Sequence, residues 1–126
     1  MSKPPKRMTL TKSRYHKWIA ALQSGKYKQG VGQLAYNHGD GNLYCCLGVL
    51  GRVCGISATM MRGEDMLRVD LLDSGQDEGT ANGDCILLEE SVQTGLANLN
   101  DKRVSFAQIA KKISTKKFRK EAGLKF

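Results

Sequence analysis

Gly25 to Gly51, GKYKQGVGQLAYNHGDGNLYCCLGVLG, decides the fold class, because its period changes from strand to helix within one continuous stretch. It holds seven of the fourteen glycines, three of the four tyrosines and the adjacent pair Cys45-Cys46. Glycine is costly inside a helix or strand, so this density implies tight turns or a main chain lying close to something else. Residues 33–37 and 42–45 flank His38-Gly39-Asp40-Gly41, the pattern of a hairpin whose loop glycines supply positive φ. From Cys46 the period becomes helical. Cys46, Val49, Leu50 and Val53 share one stripe, and Gly55 closes a helix over 46–54. That helix is almost wholly apolar, which places it at the centre of the core. Gly48 and Gly51 lower its intrinsic propensity by about 1 kcal/mol each relative to Ala. It therefore depends on tertiary packing, and its glycines allow another element to approach closely.

Upstream, Tyr15, Trp18, Ile19 and Leu22 fall on one face and predict a helix over 12–23, with Thr11 as N-cap and Gly25 as the residue that ends it. Trp18 is expected as a core anchor. Residues 1–9 carry both prolines and three basic residues and are expected to form a disordered arm. Downstream, 56–65 predicts irregular chain or one helical turn. Met66–Leu72 and Cys85–Glu89 are short apolar runs around an acidic hairpin loop, 73–84, which contains Asp73, Asp77, Glu78 and Asp84. Val92, Leu96 and Leu99 predict a helix broken near Asn100-Asp101. Ser105 and Gln108 have the capping-box spacing ahead of a last helix with Phe106, Ile109, Ala110 and Ile113 on its apolar face. The basic tail 114–126 leaves helix and disorder both open. The expected architecture is a single compact α+β domain over 10–113, a small antiparallel sheet packed with about four helices.

A chain of 126 residues with 40% hydrophobic content supports one modest core rather than two. No apolar run approaches the roughly 20 residues needed to cross a bilayer, so a soluble protein without membrane association is expected. Lys3, Lys6 and Arg7 are not followed by the apolar stretch of a secretory signal, which points to the cytoplasm and to free thiols. The cysteines contain no C-x-x-C pair, and the acidic loop lacks the alternating ligands of a calcium loop, so no metal or cofactor is expected. Charge is segregated. Residues 1–28 hold eight basic and no acidic side chains, 29–110 hold five and eleven, and 111–126 hold seven and one. Terminal lysines often do no more than solvate a surface. If instead both ends fold onto one surface, the field attracts phosphates, which suits nucleic acid, a nucleotide or an acidic host protein.

Three groups of residues carry candidate chemistry. The first is Lys26, Tyr27, Lys28, Gln29, Gly30 and Gly32, where successive backbone amides can form an anion-binding nest, lysines add charge, and Tyr27, Tyr36 and Tyr44 can stack on a base. It lacks the Gly-Lys-Ser/Thr ending of a Walker loop, and the competing reading is a structural turn. The second is Asn100-Asp101, which makes local turn hydrogen bonds or lets Asp101 grip a ribose or order the Lys-rich loop. The third is Cys45 and Cys46, which a helix N-terminus would activate as nucleophiles. The segment resembles the nucleophile helix of cell-wall amidase-type cysteine peptidases, in which a histidine follows the cysteine. Here His16 and His38 both precede it, so a hydrolase would need His38 in a permuted arrangement, and core packing of both cysteines is favoured. The helix from Ser105 also has the flavour of the first helix of a helix-turn-helix, which with the basic ends gives nucleic-acid binding as an alternative function.

Three blocks occur together: Gly25-Lys26-Tyr27-Lys28-Gln29-Gly30 with Gly32, then Tyr44-Cys45-Cys46-Leu47-Gly48-Val49-Leu50, then Leu99-Asn100-Asp101 followed by Ser105-Phe106 and Ile109-Ala110. The set resembles a family of small proteins encoded by tailed bacteriophages and their prophages. The resemblance spans about residues 15–113, apart from the middle, 56–90. It implies a phage gene product acting in the bacterial cytoplasm, and it implies no reaction. Together with the Gly-rich basic loop it leads to the expectation of a non-enzymatic accessory protein. Such a protein would bind a phosphate-bearing ligand, such as a host immune signalling nucleotide, or a host factor in counter-defence. A homo-oligomer is left open.

Overall fold

The apolar segment after Cys45 is the axis of the molecule. In the computed structural model, which describes residues 10, 12–37, 39, 41–67, 88, 90–124 and 126, it forms a helix over Cys46–Val53 with Cys46 to Gly51 all buried. The described elements run α1 (Lys12–Gln23), β1 (Lys28–Gln29), β2 (Ala35–Asn37), β3 (Asn42–Tyr44), α2 (Cys46–Val53), α3 (Ala58–Met61), α4 (Glu90–Asp101), α5 (Phe106–Ile113) and α6 (Lys116–Glu121). This is a compact α+β arrangement. The arm 1–9, the Thr11 cap, His38, Asp40, the acidic loop with most of its flanking runs, and Cys85 lie outside the described residues.

Each neighbour meets α2 through a specific contact. From α1, Trp18 is fully buried and its indole N–H donates to the Cys46 carbonyl at 2.9 Å. Arg14 donates to the Val53 carbonyl at 2.5 Å, placing a cation at the negative end of the α2 dipole. Gly48 lies against the backbone of Leu34: a Cβ there would sit 1.9 Å from the Leu34 carbonyl oxygen. Gly51 faces Met61 of α3, whose sulfur would be 2.4 Å from an added Cβ. The two glycines thus cost helix propensity and allow the sheet and α3 to close on the helix.

The sheet has the order β1-β3-β2 and is mixed. The hairpin is present, with Ala35, Tyr36 and Asn37 antiparallel to Tyr44, Leu43 and Asn42. On the far edge of β3, Lys28 and Gln29 pair parallel with Leu43 and Tyr44. That parallel strand leaves no alternation in the sequence because it is two residues long, and the chain turns away at Gly30 after the Gly30 amide donates to the Tyr44 carbonyl at 2.7 Å.

The C-terminal helices join the core. Ser105 caps α5 through a bond from the Gln108 amide, and Thr115 caps α6 through a bond from the Phe118 amide. Phe118 is buried with its ring edge-on to Trp18 at 6.5 Å, and Ala122 and Leu124 are buried after it. Tyr15 donates to the Ile113 carbonyl at 2.5 Å and accepts from Arg119 at 3.4 Å, so α1, α5 and α6 are fixed against one another.

Candidate functional site

The blocks separated in sequence meet around one side chain, Asn100, which has no exposed surface. Its Oδ1 accepts from the backbone amide of Cys46 at 3.1 Å and from Gln29 Nε2 at 3.0 Å, and its Nδ2 donates to the Gly30 carbonyl at 2.6 Å. Gln29 Nε2 donates also to the Val104 carbonyl at 2.7 Å. Asp101, on the last turn of α4, accepts from the Gly32 amide at 3.0 Å. The Asn-Asp pair is therefore helical. Asp101 ties the end of α4 to the Lys-rich loop at Gly32.

This network uses up groups that the sequence offered for anion binding. The Gly30 and Gly32 amides, the Gln29 amide and the whole of Asn100 are engaged inside the protein. What the loop leaves at the surface is charge and aromatic rings. Lys26 and Lys28 are exposed. Lys26 Nζ stands 5.9 Å from the Tyr27 ring centroid, and Tyr27 packs edge-on against Tyr44 at 5.4 Å.

Beside the network is a cleft of about 240 Å³ lined by Gln29, Gly30, Val31, Tyr36, Leu43 and Arg103. Gly30 shapes it: a Cβ there would fall 2.7 Å from both Tyr36 Cε1 and Leu43 Cβ, so the Tyr36 ring lies directly against the main chain. Arg103 was not among the residues singled out from the sequence. The signal that could have found it is a helix ending at Asp101 and another capped at Ser105, with no glycine in the connection. A larger groove of about 430 Å³ lies between α4, α5 and α6, lined mainly by Val92, Leu96, Leu99 and Phe118. It contains none of the motif residues beyond Leu99, and the smaller cleft is the better candidate because the loop, the sheet and the α4 terminus converge on it.

The two cysteines open a different chemistry, and their surroundings weigh against it. Cys45 and Cys46 are both buried. Burial pushes the Cys45 thiol up to about 11; the Gly48 and Leu47 amides of the helix start pull the other way without prevailing. Burial, and then the neighbouring Cys45, raise the Cys46 thiol well above the ordinary range. The Cys46 thiol points at the Leu96 carbonyl, 3.7 Å away. Both sulfurs are therefore protonated at neutral pH, the opposite of an activated nucleophile. The proposed partner, His38, lies outside the described residues. Among the described residues no three His, Cys, Asp or Glu side chains gather closely enough to hold a metal ion, and no helix is long and apolar enough to cross a membrane.

A model of the domain of unknown function DUF8296 matches residues 11–60. The similarity covers α1, the sheet, α2 and most of α3, and ends before the Asn100-Asp101 block and Arg103. No curated protein and no solved structure matches the chain.

Proposed function

We propose that this is a phage-encoded, non-enzymatic accessory protein of the bacterial cytoplasm that captures a small phosphate-bearing ligand at the cleft beside the KYKQG loop. A host immune signalling nucleotide is the concrete candidate, with counter-defence as the biological role. The observation that carries the reading is the cleft itself, which sets a tyrosine ring and a guanidinium against Gln29 and Gly30 of the loop, one residue along the chain from exposed Lys28. Its volume is below the roughly 300–1,000 Å³ of pockets that enclose a whole drug-sized molecule. It would seat one part of a nucleotide and leave the rest along the basic strand. The protonated thiols support binding rather than catalysis, and the resemblance of the sequence blocks supports the phage origin.

The test is a thermal-shift series with nucleotides, cyclic nucleotide signals and short duplex DNA in physiological salt. Stabilisation by a small nucleotide, about 2.7 kcal/mol at a hundredfold excess over its Kd, is the expected result. It should be lost in Lys28→Ala combined with Tyr36→Ala. No response to any nucleotide would sink this reading and favour a host protein as partner.

A second reading, nucleic-acid binding, is favoured by the packing of α1 against α5 and α6. This packing joins the helix that carries exposed Lys12 and Lys17 to the helices that carry exposed Lys111, Lys112, Lys116, Lys117 and Lys120. It predicts stabilisation by DNA that falls steeply with salt. Because Phe118 is core, the variant to use is Lys117→Gln with Lys120→Gln rather than removal of the tail.

A further inference from the structure

Three of the described helices end with the same pair of backbone bonds, and one of them breaks the rule that the other two obey. At the end of α2 the Ile56 amide reaches the Gly51 carbonyl at 2.9 Å and the Gly55 amide reaches Arg52 at 3.0 Å. At the end of α6 the Leu124 amide reaches Arg119 at 2.9 Å and the Gly123 amide reaches Lys120 at 3.1 Å. Both are Schellman caps, and both put glycine at the left-handed position, with φ of 89° at Gly55 and 71° at Gly123. At the end of α4 the Val104 amide reaches Leu99 at 3.1 Å and the Arg103 amide reaches Asn100 at 2.9 Å. The left-handed residue there is Arg103, φ 64°, the one non-glycine with positive φ among the described residues.

An L-residue in that conformation is strained, and the strain persists only where neighbours over-determine it. Here they do. Asn100 is locked by its hub on one side, and the Val104 carbonyl is held by Gln29 on the other. The Arg103 side chain itself has no hydrogen-bond or ion-pair partner among the described residues, is exposed, and lines the 240 Å³ cleft opposite the sheet residues Tyr36 and Leu43. On the cleft wall, Gln29 Nε2 and the amide and carbonyl of Gly30 are already engaged inside the protein. A planar, permanently charged fork with its hydrogen-bonding capacity free, next to an aromatic ring, suits a ligand that combines a flat ring with an anionic group.

We propose that Arg103 is the anion anchor of the cleft and that the ligand is a nucleoside phosphate, its phosphate on Arg103 and its base against Tyr36. This rests on the ligand-binding reading above. It also makes a prediction that a merely structural arginine does not: glycine at position 103 improves the helix cap and removes the site. The probes are nucleoside 5′-monophosphates and the matching nucleosides, titrated against the full chain, Arg103→Gly and Arg103→Asn, the latter also tolerant of the left-handed conformation. The melting temperature of Arg103→Gly should hold or rise, by up to about 4 °C. The wild type should prefer monophosphate over nucleoside by about 10- to 100-fold, the range of a hydrogen-bonded charged contact, and both variants should lose that preference. Variants that fold and keep the preference overturn the role of Arg103 alone. A wild type that binds no probe overturns the ligand-binding reading as well.

Discussion

At the scale of single residues, Cys45 and Cys46 show how position and environment can point in opposite directions. A cysteine at a helix start is where a thiolate gains from the dipole, and the sequence allowed that reading. Burial outweighs the dipole, holding Cys45 up to about 11. The consequence for stability has a definite sign. In the folded state Cys45 keeps its proton up to about 11, whereas in the unfolded chain it releases it near the ordinary value of about 9, so between those values the unfolded state gains and stability falls as pH rises. The expected loss is on the order of 2–3 kcal/mol, at 1.36 kcal/mol per unit. Urea midpoints for the wild type and Cys45→Ala at about pH 8 and pH 10.5 isolate it, because lysine and tyrosine titration is common to both. A wild-type slope no steeper than that of the variant would mean that the thiol is accessible, and would reopen the nucleophile.

Among the elements, α1, α2 and α5 were legible because each carries an apolar stripe, and their ends coincide with those expected to within a residue. The hairpin was legible from glycine around a short loop. What was hidden is instructive. β1 has two residues, too few for a period. α6 reads KKFRKE, with Phe118 as its only apolar member, so no stripe marks it although Phe118 packs on Trp18. The Asn100 hub joins groups 54 to 71 residues apart through two bonds to backbone and one to the Gln29 side chain, and such long-range side-chain bonds leave no local pattern. α2 itself supplies the sharpest test of the packing account. Gly48→Ala would drive a methyl into the Leu34 carbonyl, which is held in place by the Cys45 amide at 3.1 Å. It should cost about 3 kcal/mol or more, at the upper end for overpacking. Gly95→Ala, in the exposed middle of α4 with nothing within 4 Å of the new Cβ, should stabilise by about 0.5–1 kcal/mol. Chemical denaturation of both variants checks this, and equal effects would show that α2 is not pressed against Leu34.

For the molecule as a whole, the buried side chain of Gln93 explains how a 126-residue chain can accommodate the acidic run between Leu67 and Leu88. Its Oε1 accepts from the Leu67 amide at 2.8 Å, and its Nε2 donates to the carbonyls of Leu67 at 3.2 Å and Leu88 at 2.9 Å. One amide on α4 thus holds both flanks together, each with a leucine in the core. Two consequences separate the clamp from what lies between its jaws. Gln93→Ala strips partners from three buried backbone groups and should cost about 3 kcal/mol or more, at roughly 1–3 kcal/mol for each group left unsatisfied. Replacing the acidic loop, residues 73–84, with about four glycine and serine residues, a length ordinary for a tight connection, should leave the melting temperature within a few degrees, because Gln93 already holds Leu67 and Leu88 together. The same replacement removes Asp73, Asp77, Glu78 and Asp84 and no basic residue. If the lysines of α1, α5 and α6 meet nucleic acid, DNA affinity at low salt should rise and the gain should vanish as salt is added. If the cleft at Arg103 is the site, the preference for nucleoside monophosphate over nucleoside should survive the replacement. A protein that unfolds on replacement while Gln93→Ala is neutral would move the stabilising contacts from the clamp to the segment it encloses.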